Sequence, residues 1–134
     1  MKVVIDTNVW IESISKKSRF HLIYKSFLDG KFRLLLSNEI LLEYEEIIKS
    51  HCNHIDRSRF IFIMNISPYI IRISPTFRFN LITHDPADNK FVDCAITGQA
   101  DFLITSDKHF KILSTENFPP VPIIAPDKFI QHLL

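Results

Sequence analysis

Val3-Val4-Ile5-Asp6-Thr7-Asn8 is a short apolar run that ends on an acid and a polar turn, and far downstream Phe102-Leu103-Ile104-Thr105-Ser106-Asp107 repeats the pattern. Short apolar runs bounded by polar turn residues read as buried strands. In a parallel α/β sheet the residues just past the strand ends line the crevice where ligands bind. Two carboxylates remote in sequence then converge on one place, and aspartates there point to a bound metal ion.

Working outward from these strands, 2–5 is a buried strand and Thr7 to Ser15 a short helix carrying Trp10, Ile11 and Ile14. Ser18 is expected to cap a second helix, with Leu22, Ile23, Phe27 and Leu28 inward and Gly30 at its end. A strand at Phe32 to Leu36 follows, then a third helix opened by Ser37 or Asn38 and running to about His51. A fourth helix, with Phe60, Ile61, Ile63 and Met64, runs to Pro68, and Tyr69 to Ile73 is the third strand. Ser74 to Asp85 has no clear period and reads as a loop. Asp85-Pro86 starts a helix that ends near Gly98, and after the strand Phe102 to Thr105 a short helix covers Lys108 to Leu113. Val121 to Ala125 is the last strand and Pro126 to Leu134 a closing helix. Strands alternating with helices imply an α/β fold, a mostly parallel sheet covered on both faces with right-handed crossovers.

The bulk numbers fit a single domain over 1–134: 46% hydrophobic residues and twelve Phe are ample for one core. The longest apolar run, Phe60 to Met64, is too short to span a bilayer, so no membrane association and a cytoplasmic location are expected. Cys52 and Cys94 have neither the number nor the spacing of a disulfide framework or a zinc site. The two glycines, Gly30 and Gly98, both fall at helix ends, so a Gly-rich phosphate cradle after the first strand is absent. A net charge of +1 exerts no general pull on nucleic acid, so a polyanionic substrate needs a local basic patch or bound cations.

Fifteen acids are present, and most must be solvated surface charges. At roughly 100° per residue, Ile40, Tyr44 and Ile47 share one side of the third helix, with Glu43 at the edge of that stripe and Glu39 and Glu46 farther out. In the Asp85 helix, Asp88 shares a face with Phe91, Val92, Ala95 and Gln99, where a carboxylate must cap locally or meet a cation. Asp93 falls off that face, as a flank charge or a supporting residue. Asp6 and Asp107 could each be a helix cap, and Asp85 an N-cap before Pro86. Asp6, Glu43, Asp88 and Asp107 at one sheet end, however, repel one another unless Mg²⁺ or Mn²⁺ sits among them.

The segments Val-Ile-Asp-Thr-Asn at 4–8, Leu-Ser-Asn-Glu-Ile-Leu-Leu-Glu-Tyr at 36–44, Asp-Pro-Ala-Asp-Asn-Lys-Phe at 85–91 and Ala-Asp-Phe-Leu-Ile-Thr-Ser-Asp at 100–107 together resemble the PIN domain. The likeness is nearest to single-domain toxins of toxin and antitoxin pairs, the VapC-type ribonucleases. It implies a three-layer α/β/α sandwich with strand order 3-2-1-4-5 and a Mg²⁺- or Mn²⁺-dependent cut of single-stranded RNA. It places the family's acids on Asp6, Glu43, Asp88 and Asp107, with Asn8 and Thr105 or Ser106 as polar support, and leaves Asp85 and Asp93 as neighbours of the third acid.

Candidate phosphate contacts are Lys90 and Lys108, each near a proposed acid, with Arg78, Arg57 and Arg59 farther off and His84 a possible general base beside Asp85. An aspartyl-phosphate phosphatase needs a second Asp two residues after the first, and Asn8 stands there instead. A non-catalytic module, with the acids serving only as caps, is the remaining alternative. Phe20, Tyr24, Phe27, Phe60 and Phe62 exceed what one sheet face must cover, so a homodimer interface or an antitoxin groove is expected on that side.

Overall fold

Val3, Val4 and Ile5 of strand β1 (Lys2–Ile5) are all shut off from solvent. Side chains alternate between the two faces of a strand, so burying three in a row requires helices on both faces of the sheet, which parallel crossovers provide. The computed structural model describes residues 1–82, 86–107, 110 and 121–134. After β1 come α1 (Thr7–Ile14), α2 (His21–Leu28), β2 (Arg33–Leu36), α3 (Asn38–His51), α4 (His54–Ile66) and β3 (Ile70–Arg72). A 3-10 turn (Pro86–Asp88) then runs into α5 (Asn89–Thr97), followed by β4 (Phe102–Ile104), β5 (Ile123–Ile124) and α6 (Pro126–Leu133). The strands pair in parallel in the order β3-β2-β1-β4-β5, the order implied by the family resemblance. Ile5 stands opposite Ile104, and the Asp6 N–H donates to the Ile104 carbonyl at 3.0 Å. The two acid-bearing strand ends are therefore level with one another.

Aromatic packing holds the helices on this side together. Trp10 is fully buried and meets Phe60 at 5.5 Å and Phe27 at 5.6 Å, centroid to centroid, with Tyr24 and Tyr44 on its other edges. These edge-on contacts lock α1 to α2, α3 and α4. Here the structure refines the sequence expectation: Tyr24, Phe27 and Phe60 are buried in this cluster, Phe20 is buried outside it under Arg19, and of the five only Phe62 is exposed. The apparent surplus of aromatic residues fills the interior around a tryptophan whose size the helical pattern alone did not weigh.

Among the described residues left-handed backbone occurs at Asn80 in the segment 73–82 and at two helix ends. After α2, Gly30 (φ +74°) donates to Phe27 O and Lys31 N–H to Ser26 O, the pair of bonds that closes a Schellman turn. After α5 the same turn is closed by Gln99 (φ +54°) and Ala100, with Gln99 N–H on Ile96 O and Ala100 N–H on Ala95 O. Gly98 occupies the position before it for a different reason: a Cβ there would come within 2.8 Å of Leu35 and 3.2 Å of Ile73. Because a side chain in the left-handed region costs on the order of 1 kcal/mol, the exposed Gln99→Gly is expected to raise stability by about that amount in a denaturant melt. An unchanged or lowered midpoint would show that the Gln99 side chain compensates the strain.

Smaller corrections follow from local chemistry. Ser18 does not cap α2, which begins at His21; its hydroxyl accepts from Phe20 N in a separate turn. The last strand, Ile123–Ile124, is shorter than expected, with the Pro122 and Ile124 carbonyls accepting from Leu103 and Thr105. The helix expected over Lys108 to Leu113 lies outside the described residues save for Phe110.

Candidate active site

Asp6 occupies the N-cap position of α1, yet its side chain makes no capping bond to that helix. Its Oδ2 instead accepts from Thr105 Oγ1 at 2.8 Å, from the end of the neighbouring strand β4. Asp6 is 7% exposed, and burial raises its carboxyl above the ordinary value. The Thr105 hydroxyl and the Thr7 backbone counter this in part, while the charges of Glu43 and Asp107 raise it further. A cap would be exposed and bonded to its own helix; this carboxylate is turned into a pocket of like charge.

Two threonines tie the neighbouring acids to it. Thr105 Oγ1 also accepts the Asp107 N–H at 3.0 Å, so one hydroxyl fixes both Asp6 and the backbone that carries Asp107. On the other side Thr7 Oγ1 donates to Glu43 Oε2. Glu43 reaches this point because α3 is capped by Ser37, which accepts from Ile40 N, and because the Tyr44 hydroxyl donates to the Ile5 carbonyl and pins the helix to the end of β1. A continuous series of contacts thus runs Glu43, Thr7, Asp6, Thr105, Asp107. Glu43 is also paired with Lys90, whose Nζ lies 2.8 Å from Oε1 and donates to the Ala87 carbonyl at 2.6 Å. Lys90 is thus engaged inside the site, not standing free at its rim.

Asp88 lies at the N-cap of α5 without a capping side-chain bond, its Oδ2 shielded from solvent, next to the Ala87 carbonyl that holds Lys90. Asn8 and Ser106 are exposed beside the two strand ends. Asp85, His84 and Lys108 lie outside the described residues. Asp93, expected as a flank charge or a supporting residue, is buried. It is 7% exposed, and Oδ1 accepts from Phe79 N at 3.1 Å, because the segment 73–82 crosses this side of α5 and covers it. Burial raises its carboxyl too, offset in part by the Phe79 N–H and Arg78 and reinforced by Glu39. Asn89 fastens the end of the same segment with two bonds to Ile82, from N–H to Oδ1 at 2.8 Å and from Nδ2 to O at 2.9 Å. Arg78 is exposed and pairs with Glu39 at 3.3 Å, near the site. Arg57 is engaged elsewhere, with His54 and the Lys49 carbonyl, and Arg59 lines a separate groove with Ile11, His21 and Cys52.

The sequence did not single out Thr7, Tyr44, Asn89 or Arg19. Thr7 directly follows Asp6 and could have been found from that adjacency; Arg19 could not, since only the fold brings it into a groove of about 490 Å³ with Thr105, Ser106 and Asp107. The donor set, all carboxylate and hydroxyl oxygen, suits a hard cation such as Mg²⁺ or Mn²⁺ better than a thiol- or imidazole-seeking one. Among the described residues no three His, Cys, Asp or Glu side chains stand grouped as a ready-made metal cage. Glu43 supplies a physical reason: its two oxygens are taken by Thr7 and Lys90. The residues fit the ion in type and charge, with Glu43 needing to turn from these partners to join it.

Comparison with solved structures agrees with this architecture. VapC20 of Mycobacterium tuberculosis, a sarcin-ricin loop cleaving toxin, superimposes with a TM-score of 0.60 at 13% identity, over 82% of this chain and 93% of that one. VapBC2 of Rickettsia felis, bound to a promoter DNA fragment, gives 0.61 at 16% identity over 93% and 98%. FitAcB of Neisseria gonorrhoeae gives 0.58 at 16% over 92% and 97%. At such identities the likeness is one of fold. No curated protein matches the sequence. The model of the PIN domain family matches residues 2–109, every strand but β5 and all four acids included, and the chain belongs to that family.

Proposed function

We propose that this protein is a Mg²⁺- or Mn²⁺-dependent endoribonuclease that hydrolyses single-stranded RNA, the toxin component of a toxin-antitoxin pair. One observation carries the reading: a buried Asp6 at an N-cap it does not cap, joined through Thr105 to Asp107 and through Thr7 to Glu43. Asp6, Glu43, Asp88 and Asp107 would hold the ion. When bound, Mg²⁺ or Mn²⁺ supplies hydroxide at neutral pH, relieves charge on the phosphate and assists the leaving oxygen. Thr105 fixes the Asp6 carboxylate, and Tyr44 holds the end of β1 and the middle of α3 in one frame. Lys90 and Arg19 place positive charge on either side of the acids, where a phosphate backbone would pass, and Lys108, Asn8 and Ser106 are further candidates for contact with it.

Thr105→Val keeps the shape of this buried side chain and removes both hydrogen bonds. It is expected to lower Mn²⁺-dependent cleavage by about 10- to 100-fold, the usual loss when a partner of a metal ligand goes. Full activity in Thr105→Val would mean that Asp6 does not need this orientation. The reading as a whole is tested by incubating the pure protein with a labelled single-stranded RNA. Cleavage should stop in EDTA and return with Mn²⁺. Binding of RNA or of a partner without any metal-dependent cleavage would favour the non-catalytic module, a reading supported by Lys90 standing on Glu43.

The toxin reading includes a partner. Ile55, Phe62 and Ile66 lie exposed on one face of α4, at spacings of about two turns and one turn. This face would serve a homodimer or a cognate antitoxin. Among the described residues no helix is long and apolar enough to cross a membrane.

A further inference from the structure

Between α3, α5 and the segment 73–82 lies a cavity of about 220 Å³ that the proposed chemistry does not use. Ile73 and Pro75 give it apolar walls; Ser37, Asn38 and Ser74 contribute polar groups. Lys90 lines it as well, and since the same Nζ pairs with Glu43, the cavity opens next to the acids. Its wall includes a carboxylate, Asp93, that is 7% exposed and has only the Phe79 N–H at Oδ1 as a direct hydrogen-bond donor among the described contacts. Arg78 and its partner Glu39 also line the cavity, and next to Arg78 in the chain stands an exposed Phe77, whose ring is braced against Phe79 at 4.7 Å between centroids. An arginine beside an exposed, braced aromatic ring is a surface on which an unpaired base stacks.

We propose that this cavity is a nucleotide subsite that seats one base of single-stranded RNA, guanine, with its Watson–Crick edge on Asp93. The substrate class rests on the nuclease reading above. The choice of base follows from hydrogen-bond chemistry. A carboxylate only accepts, and guanine alone among the four bases presents two adjacent donors, N1–H and N2–H₂, on that edge. Uracil would set carbonyls on either side of its single N–H against the carboxylate; adenine and cytosine offer one amino group beside an acceptor nitrogen. Ile73 and Pro75 would pack on the faces of the ring, and Arg78 would exchange its exposed pairing with Glu39 for the phosphate.

Two arms test this. Calorimetric titration of the whole protein in EDTA with GMP, AMP, CMP and UMP needs no cleavage. GMP should bind about tenfold or more tightly than the others, as expected for discrimination by one two-donor contact. Asp93→Asn should bring the four nucleotides level. Ser74→Phe, which fills the cavity from an exposed loop position and leaves Asp93 in place, should abolish binding of all four, and it decides the matter if Asp93→Asn fails to fold. In the second arm, a pool of RNA with a random segment is cut in Mn²⁺, and guanosine should be enriched at one position beside the cut in wild type but not in Asp93→Asn. Equal affinity for the four nucleotides, or a GMP preference that persists in both variants, overturns the subsite. Selective GMP binding without metal-dependent cleavage keeps the subsite and removes the nuclease reading. Cleavage without GMP selectivity does the reverse.

Discussion

Asp6→Asn is expected to be inactive, with cleavage lowered by about 10³-fold or more, beyond the 10- to 100-fold typical of a supporting partner, and yet at least as heat-stable as wild type in EDTA. The activity loss follows from its position at the centre of the contact series from Glu43 to Asp107. The stability result follows from burial and like charge. Ionised Asp6 sits dehydrated near two other carboxylates, and such a neighbour costs on the order of 1 kcal/mol at the effective dielectric of a partly buried site. Asparagine keeps an oxygen to accept from Thr105 and carries no charge. The pH dependence has a fixed sign. Because the folded state raises the Asp6 carboxyl above 3.8, its stabilising contribution is complete below that value and is lost as pH rises through the raised one. The advantage of Asp6→Asn should therefore be present at neutral pH and vanish in acid. Mn²⁺ should raise the wild-type melting temperature, as any ligand of the native state does, and the variant's much less. Unfolding of Asp6→Asn well below wild type in EDTA would identify Asp6 as a structural residue.

Lys90→Met should do the opposite in EDTA and destabilise the protein. It removes the ammonium 2.8 Å from Glu43 and leaves that carboxylate, about a quarter exposed, facing Asp6 without a countercharge. Stripping one partner from a fully buried pair costs 3–5 kcal/mol, and with water at this site about 1–2 kcal/mol is expected. The gain in stability on adding Mn²⁺ should be larger than in wild type, because the cation no longer competes with Lys90 for Glu43. Melting curves with EDTA and with graded Mn²⁺ measure both effects. An unchanged apo midpoint together with an unchanged Mn²⁺ response would show that the Lys90–Glu43 pair is a surface contact of no consequence. Methionine keeps most of the aliphatic length, so lost packing contributes little.

The strand ends were legible in the sequence because an apolar run closing on Asp-Thr-Asn or Thr-Ser-Asp marks both where a parallel strand stops and where its crevice begins. Helical phase placed Glu43 at the edge of its stripe for the same reason: α3 is regular for its whole length and capped where Ser37 indicates. The burial of Asp93 was not legible because phase describes one helix against one sheet. The irregular segment 73–82 has no period from which its path could be inferred, yet it is what buries Asp93 and forms the cavity. Lys90 was legible as a basic residue near an acid, but its pairing with Glu43 brings α5 against α3, a tertiary contact that neither helix encodes alone. Most of the aromatic surplus goes to the interior because a single buried tryptophan engages four rings, which leaves Phe62 as the one of the five residues on the surface.

The central claim is that these acids support hydrolysis by a metal-activated water, and the chemistry of the product ends tests it most directly. Single-stranded RNA cut by the wild-type protein in Mn²⁺ should yield fragments ending in a phosphate monoester with no 2′,3′-cyclic phosphate, and an all-2′-deoxy linkage at the cut position should still be cleaved, since the attacking oxygen comes from water. None of these products should form in EDTA or with Asp6→Asn. Cyclic phosphate ends, or cleavage that persists in EDTA, would contradict the account.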